Sequence, residues 1–461
     1  MEYEFEKQFE ETVEAILALL REKKYVQARK EILANNEVDI AEILEEVREE
    51  LGVEIAIIML RALPKDVSVE VFSNLPSDDQ LAIISGITDK EIRFIINEMD
   101  FDDMIDVLEE LPANLVDKIL DKTPKEERKL INTFLNYPEN SAGSLMTPDY
   151  ISLQKDMTVA QAMAHIKAQG MDSETVYTCY VKDRGRKLIG IVSLRSLVVA
   201  EDDVAVESLM HTEDMISVNV LDDQEAVSNL FKRYGFLALP VVDREERLVG
   251  IITVDDILDI IEEETTEDMQ RMAGVMTADA EEYLDTSVWK HLKSRLPWLL
   301  FLMVSLMVTG VIIVQFESLL SQVIVLVAYL PLLMGTGGNS GSQSATLVIR
   351  GLALADIDLK DCGKVLWKEL RIGFFAGLIL SLLNGAKMLW LDGESLMVAL
   401  TVCGSLLLII MLAKCLGGML PLLAKKLKID PALMASPMIA SLNDMITVVI
   451  YFAMATLILG I

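Results

Sequence analysis

Between Arg61 and Leu120 apolar residues recur at helical spacing inside units of twelve: "ALPKDVSVEVFS", "NLPSDDQLAIIS", "GITDKEIRFIIN", "EMDFDDMIDVLE", "ELPANLVDKIL". The register is Pro64, Pro76, Thr88, Asp100, Pro112. A Pro or capping residue opening each unit predicts short helices in series, with Pro in the first turn. The expectation is a compact helical superhelix over residues 1–135, of the kind that serves as a scaffold or interaction surface. Further on the apolar residues alternate. "SLMTPDYISLQKDMTVAQAMAHI" with "KLIGIVSLRSLV" is echoed about sixty residues later by "SLMHTEDMISVNVLDDQEAVSNL" with "RLVGIITVDDIL". Each copy predicts strands, a helix, a strand pair ending at Gly190 or Gly250 and another helix. A polar helical stretch over 263–292 then leads into an apolar half. Five segments there, near 297–316, 319–338, 369–391, 396–421 and 433–460, reach the ~20 residues that cross a bilayer.

Charge sharpens this division. The 461 residues carry a formal net charge of −31, yet their mean hydropathy is +0.37. From His291 onward there are nine acids against twelve bases, whereas residues 1–290 hold 63 acids and 29 bases. So acidic a half repels nucleic acid and attracts cations, although acidic surfaces also serve solubility alone. Basic residues flank alternate connections of the apolar half: Lys290, Lys293 and Arg295, then Arg350, Lys360, Lys364, Lys368 and Arg371, then Lys425, Lys426 and Lys428. The connections between them carry Glu317, then Asp392 with Glu394. The positive-inside rule therefore puts the acidic half in the cytoplasm and the C-terminus outside a cell membrane crossed several times. The acidic, helical N-terminus does not read as a secretory signal. Cys179, Cys362, Cys403 and Cys415 lack CxxC spacing, and with His165, His211 and His291 as the histidines a Zn or Fe–S site is not expected.

Two features of the apolar half invite chemistry. "LPLLMGTGGNSGSQSATLVIR" puts Gly, Ser, Asn and Thr at membrane depth. No Lys lies between Lys293 and Lys360, so this is no Walker loop. It reads either as close helix packing or, by preference, as opened backbone facing a water-filled path. Asp444 in "IASLNDMITVVIYF" is the second, since a charge near the bilayer centre costs about 2.5–3.5 kcal/mol even on lenient scales. Ser436, Ala440 and Asp444 share a stripe, and Pro437 is expected to free the carbonyl of Leu433 within the same helix. One carboxylate with carbonyls and water suits a hard cation such as Mg2+; a buried Asp bonded to a neighbouring helix is the plainer reading.

The duplicated unit resembles a tandem pair of CBS domains, modules that often bind adenine nucleotides. Gly250, Thr253 and Asp256 match the ribose-contacting pattern in the second copy, whereas the first has Gly190 and Ser193 but Ser196 in place of the acid. The implied ligand is ATP at one site at most. Taken together, "GTGGNSGSQSATLVIRGLA", "KIDPALMASPMIASLNDMITVVIYF", the CBS pair and the acidic helical N-domain resemble the MgtE family of bacterial magnesium channels over nearly the whole chain. The resemblance implies a homodimer in membrane lipid, with a pore lined by spans 2 and 5. Asp444 of each subunit would form the central hydrated-ion site, with carbonyls of Ser436 and Ala440. It also implies closure by cytosolic Mg2+ bound at Glu70, Asp102, Asp106, Glu225, Asp256, Asp259, Glu264, Glu267, Asp268 and Asp430. Gly235 stands where the family can have an acid. Like charges three and four apart, as in Asp102 with Asp106 and Glu264 with Glu267 and Asp268, oppose their helices by roughly 0.2–0.5 kcal/mol a pair, and divalent ions would relieve them.

The expected architecture is thus multi-domain: an all-α acidic N-domain at 1–135, an α/β tandem CBS pair at 136–262, a connecting helix at 263–292 and a five-helix transmembrane domain at 293–461. The expected function is a magnesium-selective, channel-like transporter driven by the membrane potential and closed by cytosolic magnesium. A membrane-tethered adenine-nucleotide sensor and a broader Co, Ni or Mn transporter are the alternatives. An enzyme is disfavoured, because the spans hold no nucleophile, histidine or metal-cluster constellation.

Overall fold

The computed structural model describes residues 2–121, 123–171, 173–213, 215–276, 283–284, 286–316, 323–354, 356–434 and 436–460, with backbone alone for 2–6 and Ser436. They divide into two compact units, Met1–Leu258 and Asp259–Ile461.

The first unit begins with α1 to α10: Glu2–Arg21, Tyr25–Ile32, Glu37–Leu51, Val53–Ala62, Lys65–Ser73, Ser77–Gly86, Asp89–Glu98, Phe101–Glu110, Ala113–Leu120 and Lys125–Phe134. The twelve-residue register is a register of N-caps. Pro64, Pro76, Thr88, Asp100 and Pro112 cap α5 to α9, and Pro124 continues the series at α10. The prolines sit one residue before the helix rather than in its first turn, where an extended ψ near 150° breaks one helix from the next. Thr88 completes a capping box, accepting from the Glu91 amide while the Glu91 carboxylate accepts from the Thr88 amide at 2.8 Å. Helices touch every second neighbour, α3 with α5, α4 with α6, α5 with α7 and α6 with α8, which builds the superhelix. Its core is the inner face of each helix, including Ile57, Phe72, Ile83, Ile95 and Ile105.

The duplicated unit folds twice alike. In the first copy β1 (Tyr150–Gln154) pairs parallel with β2 (Thr175–Lys182), which pairs antiparallel with β3 (Leu188–Ser193). In the second, β4 (Val218–Asn219), β5 (Ala238–Val242) and β6 (Leu248–Thr253) repeat that order and sense. Helices α11 (Val159–Gln169), α12 (Leu194–Val199) and α13 (Val206–Leu209) accompany the first copy, and α14 (Gln224–Tyr234) the second. Tyr180, Leu248 and Ile251 form a dry core where the copies meet. Gly235 takes a left-handed φ of +65° to end α14, a conformation that glycine adopts without steric cost. Helix α15 (Val254–Met272) follows β6 directly and stops before Gly274, whose φ is +77°.

In the second unit α16 (Val288–Gln315), α17 (Val325–Ala353), α18 (Cys362–Lys387), α19 (Leu396–Lys426) and α20 (Ser436–Leu459) pack as a bundle. Four helical stretches, Val288–Gln315, Leu359–Asp392, Leu396–Lys426 and Pro431–Leu459, are long and apolar enough to cross a membrane. Helix α17 matches them in length, but Gly335–Ser344 dilutes its apolar character. The chain is accordingly read as a multi-pass membrane protein. Two expectations fail here. The Gly, Ser and Thr run is not opened backbone: α17 is unbroken from Val325 to Ala353, starting and ending later than the anticipated span, of which residues 319–322 lie outside the described residues. Its small residues serve close packing instead. A Cβ on Gly417 of α19 would fall 2.1 Å from the Gly341 carbonyl oxygen, so the two backbones touch directly. Pro437 does not interrupt a helix either; it is the second residue of α20, in the turn where a missing amide costs nothing.

Candidate functional site: a lone intramembrane carboxylate and an acidic cleft

In the membrane unit, α17 and α20 meet through small residues. Gly338 faces Ala440, and Gly337 faces Thr447. Beside them the buried Asn443 amide donates to the Gly337 carbonyl at 3.3 Å. Asp444 follows it, half-buried, one helical turn beyond Ala440 on the stripe that borders α17. It has no hydrogen bond or ion pair with any described residue. Ser436 opens α20, and 436, 440 and 444 follow one another at intervals of about one turn, as the spacing predicts. A carboxylate in such surroundings needs an ion or water to offset its burial.

The membrane unit holds other ionisable groups. Lys414 of α19 and Glu369 of α18 are each only 6% exposed. Ser344 Oγ donates to Glu369 Oε2 at 2.6 Å, and Lys414 Nζ donates to Gln343 Oε1 at 3.5 Å. At the end opposite the basic connections, Asp392 accepts from Lys387 at 2.6 Å and from Tyr329 at 3.0 Å. The sequence reading passed over Glu369 and Lys414, although an ionisable residue inside an apolar helix was signal enough.

Where α15 and the membrane unit continue, Arg271 gathers three of the expected acids. Its guanidinium donates to Asp430 Oδ2 at 2.6 Å and pairs with Glu267, while Asp268 lies close enough to feel Asp430. Burial raises the Asp268 carboxyl, and Asp430 and Glu264 raise it further. Burial raises Glu267 as well, against the lowering effect of Arg271. Asp259 is exposed on the same helix.

The first unit builds a cleft between the superhelix and the CBS pair. Asp100, Asp102 and Asp103 come from the start of α8, Glu174 from the entry to β2, and Asp255 and Asp256 from the start of α15. Burial pushes the Asp102 carboxyl up to about 8, with Asp256 and Glu174 adding repulsion. Glu174 rises to about 7 through burial and then Asp100, Asp256 and Asp255. Asp256 rises to about 6 through burial, against a hydrogen bond from Thr253. Glu70 on α5 is raised by burial and by Asp100 and Asp103. These carboxylates thus lie close enough to repel one another, with no basic group among the influences on Asp102, Glu174 or Asp256. Asp106 and Glu225 lie exposed on α8 and α14. Among the described residues no three His, Cys, Asp or Glu converge closely enough to hold a metal by themselves. Asp100, Asp103, Glu174 and Asp255 had not been singled out. Asp103 and Asp255 adjoin residues that had been; Glu174 sits in a turn with no local mark.

In the second CBS copy, Thr253 Oγ1 donates to Asp256 Oδ2 at 2.8 Å, beside Gly250 on β6. The first copy places Ser193 and Ser196 in the same relation at 2.8 Å, without a carboxylate.

Comparison with known proteins adds to this geometry. Residues 330–454 match the family model described as a divalent cation transporter, residues 35–140 that of the MgtE intracellular N domain, and residues 142–203 and 206–263 that of the CBS domain. A Thermus thermophilus protein, "Magnesium transporter MgtE", is 38% identical over 455 residues, 95% of this chain and 99% of its own. The Bacillus subtilis protein of the same name is 33% identical over 448 residues, 97% of each chain. A crystal structure of the cytosolic domain of the Mg2+ channel MgtE in complex with ATP superposes with a TM-score of 0.50 and 32% identity. It covers 54% of this chain and 99% of that one.

Proposed function

The chain belongs to the MgtE family, and from that membership we propose that it carries magnesium across the cell membrane through a path between α17 and α20. The observation that carries the proposal is Asp444, a carboxylate on an apolar helix with no partner among the described residues. In a homodimer two such carboxylates would face one hydrated ion, with carbonyls of Ser436 and Ala440 nearby. Mg2+ keeps much of its water and is held by one or two carboxylates, which fits so sparse a donor set.

Transport needs no hydrolysis in this reading. A membrane potential supplies about 2.3 kcal/mol per charge per 100 mV, hence about 4.6 kcal/mol for a divalent ion. So large a drive demands closure from inside. We assign that role to cytosolic Mg2+ at Glu70, Asp102, Asp106, Glu225, Asp256, Asp259, Glu264, Glu267, Asp268 and Asp430, and add Glu174 to them. Divalent ions in the cleft would replace like-charge repulsion by attraction and hold the superhelix against the CBS pair. ATP at Gly250, Thr253 and Asp256 would tune this closure, because Asp256 belongs to both sets. The functional parts are taken as 1–135, 136–262, 263–292 and 293–461, with the acidic parts cytoplasmic and the C-terminus outside.

Liposomes loaded with a magnesium-sensitive dye test the proposal. An inside-negative potassium diffusion potential should accelerate Mg2+ entry without ATP, and Asp444→Asn should abolish it while the dimer persists. Wild-type entry through a folded Asp444→Asn protein would overturn the path, and a requirement for hydrolysable ATP would overturn the driving force.

A further inference from the structure

Lys414 and Glu369 are opposite charges buried in one layer of the membrane unit, and neither belongs to the path proposed above. Burial of either in hydrocarbon is costly, so each must be offset by what it touches. Both are offset by adjacent residues of a single helix: Lys414 reaches Gln343 at 3.5 Å from α19, and Ser344 reaches Glu369 at 2.6 Å from α18. The layer is continuous. A Cβ on Gly418 would stand 3.0 Å from Glu369 Cγ, and Lys414 lies one helical turn before Gly418 on the same face of α19.

Gln343 itself belongs to an exposed polar stripe of α17, with Asn339, Thr346 and Arg350, in an otherwise apolar bundle. Lys414 therefore reaches from the buried side to a residue of that stripe. Six residues earlier, about 10 Å along the axis, the same helix is tied to α20 by the Asn443 bond to Gly337. Nearer its start α17 is fixed to α20 by the Tyr451 hydroxyl, which donates to the Leu326 carbonyl at 3.0 Å, whereas around Gly337, Gly338 and Gly341 the contacts are close but carry few side chains. The Lys414 and Glu369 contacts supply the register that glycine packing lacks. A rotation of α17 would break both at once and leave two unpaired charges in an apolar layer.

Resting on the assignment of α17 and α20 as the path, we infer that Lys414 and Glu369 are a pair of positioning residues that lock the Gln343–Ser344 turn of α17, and so hold its polar stripe in register with Asp444. They touch no transported ion. Their effect is on the geometry of the path, so it is read in selectivity as well as rate.

The test is Mg2+ and Ca2+ entry into dye-loaded liposomes containing the full chain. Wild-type Mg2+ entry establishes the path independently; without it the path assignment fails, not the positioning role. Given that entry, Lys414→Met and Glu369→Leu should each cut Mg2+ entry by about tenfold or more, because the Gln343–Ser344 turn loses one of its two ties. The double variant should lose at least as much as either single one, and Lys414→Arg should keep more than Lys414→Met. Lys414→Met or Glu369→Leu at wild-type rate would overturn the inference. Where a single variant does not fold, Ser344→Ala and Gln343→Ala leave both charges in place and decide the matter. The expected result is a raised ratio of Ca2+ to Mg2+ entry in proteins that still fold. A wild-type ratio in both folded proteins would overturn the inference.

Discussion

The acidic cleft and the membrane bundle both take charge out of water, and they treat it in opposite ways. In the bundle, Glu369 and Lys414 are buried and each has a partner on a neighbouring helix, whereas half-buried Asp444 has none among the described residues. In the first unit, Asp102, Glu174 and Asp256 lie close enough to repel one another at the seam between superhelix and CBS pair. A lone carboxylate offers one ion a brief stop. A crowd of them offers ions a structural role, since the seam is repulsive until cations enter. In the proposed scheme the same residue type would serve passage in one region and sensing in the other, and what differs is the company it keeps.

The largest effect should come from neutralising the lone carboxylate. A unit charge 4 Å from another is worth about 4 kcal/mol at an effective dielectric constant near 20. Asp444→Asn should therefore lower Mg2+ entry by about 100-fold or more, measured in dye-loaded liposomes, while chromatography finds the folded protein at the wild-type size. Next is the packing that lets α17 approach its neighbours. Gly417→Ala places a methyl against the Gly341 carbonyl with no flexible side chain to yield, so a loss of about 1–3 kcal/mol is expected as a lower melting temperature in detergent. A Gly417→Ala protein that melts with the wild type would refute direct backbone contact.

The cleft predicts a dependence on pH. Asp102, Glu174 and Asp256 hold their protons more tightly in the docked chain than they would unfolded. Docking of the superhelix on the CBS pair is therefore favoured while they are protonated, below the ordinary carboxylate range. That stabilisation is lost as pH rises through about 6 to 8. Without Mg2+, protease resistance of the acidic half should fall from pH 6 to pH 8.5. Saturating Mg2+ should flatten the profile, because ions then replace protons. Asp102→Asn should flatten it in part without any metal. An unchanged profile in Asp102→Asn would remove the cleft from the gating scheme. The smallest effect concerns the superhelix alone: Thr88→Ala removes a capping box and should cost about 1 kcal/mol in denaturant unfolding without altering Mg2+ entry.

Much of this was legible along the chain. The twelve-residue register is written in Pro64, Pro76, Thr88, Asp100 and Pro112, because an N-cap is a local event that depends on one residue's backbone preference. The CBS duplication was legible as alternation repeated in order, and both sheets carry the anticipated strands. Asp444 stood out because its neighbours are apolar. The Gly335–Ser344 run misled, since small polar residues mark both opened backbone and tight packing, and the choice depends on what lies alongside. Here α19 and α20 lie alongside, at a distance that only glycine permits.

By itself, then, the sequence determined where helices start, which unit is duplicated, which half is acidic and which segments are apolar enough for a membrane, since these follow from local preference and composition. The tertiary structure decided which charges meet. Glu174 joins Asp102 from 72 residues away in the chain, and Ser344 finds Glu369 across 25. Such meetings are set by the packing of whole elements, and carboxylates are costly or useful according to that packing alone.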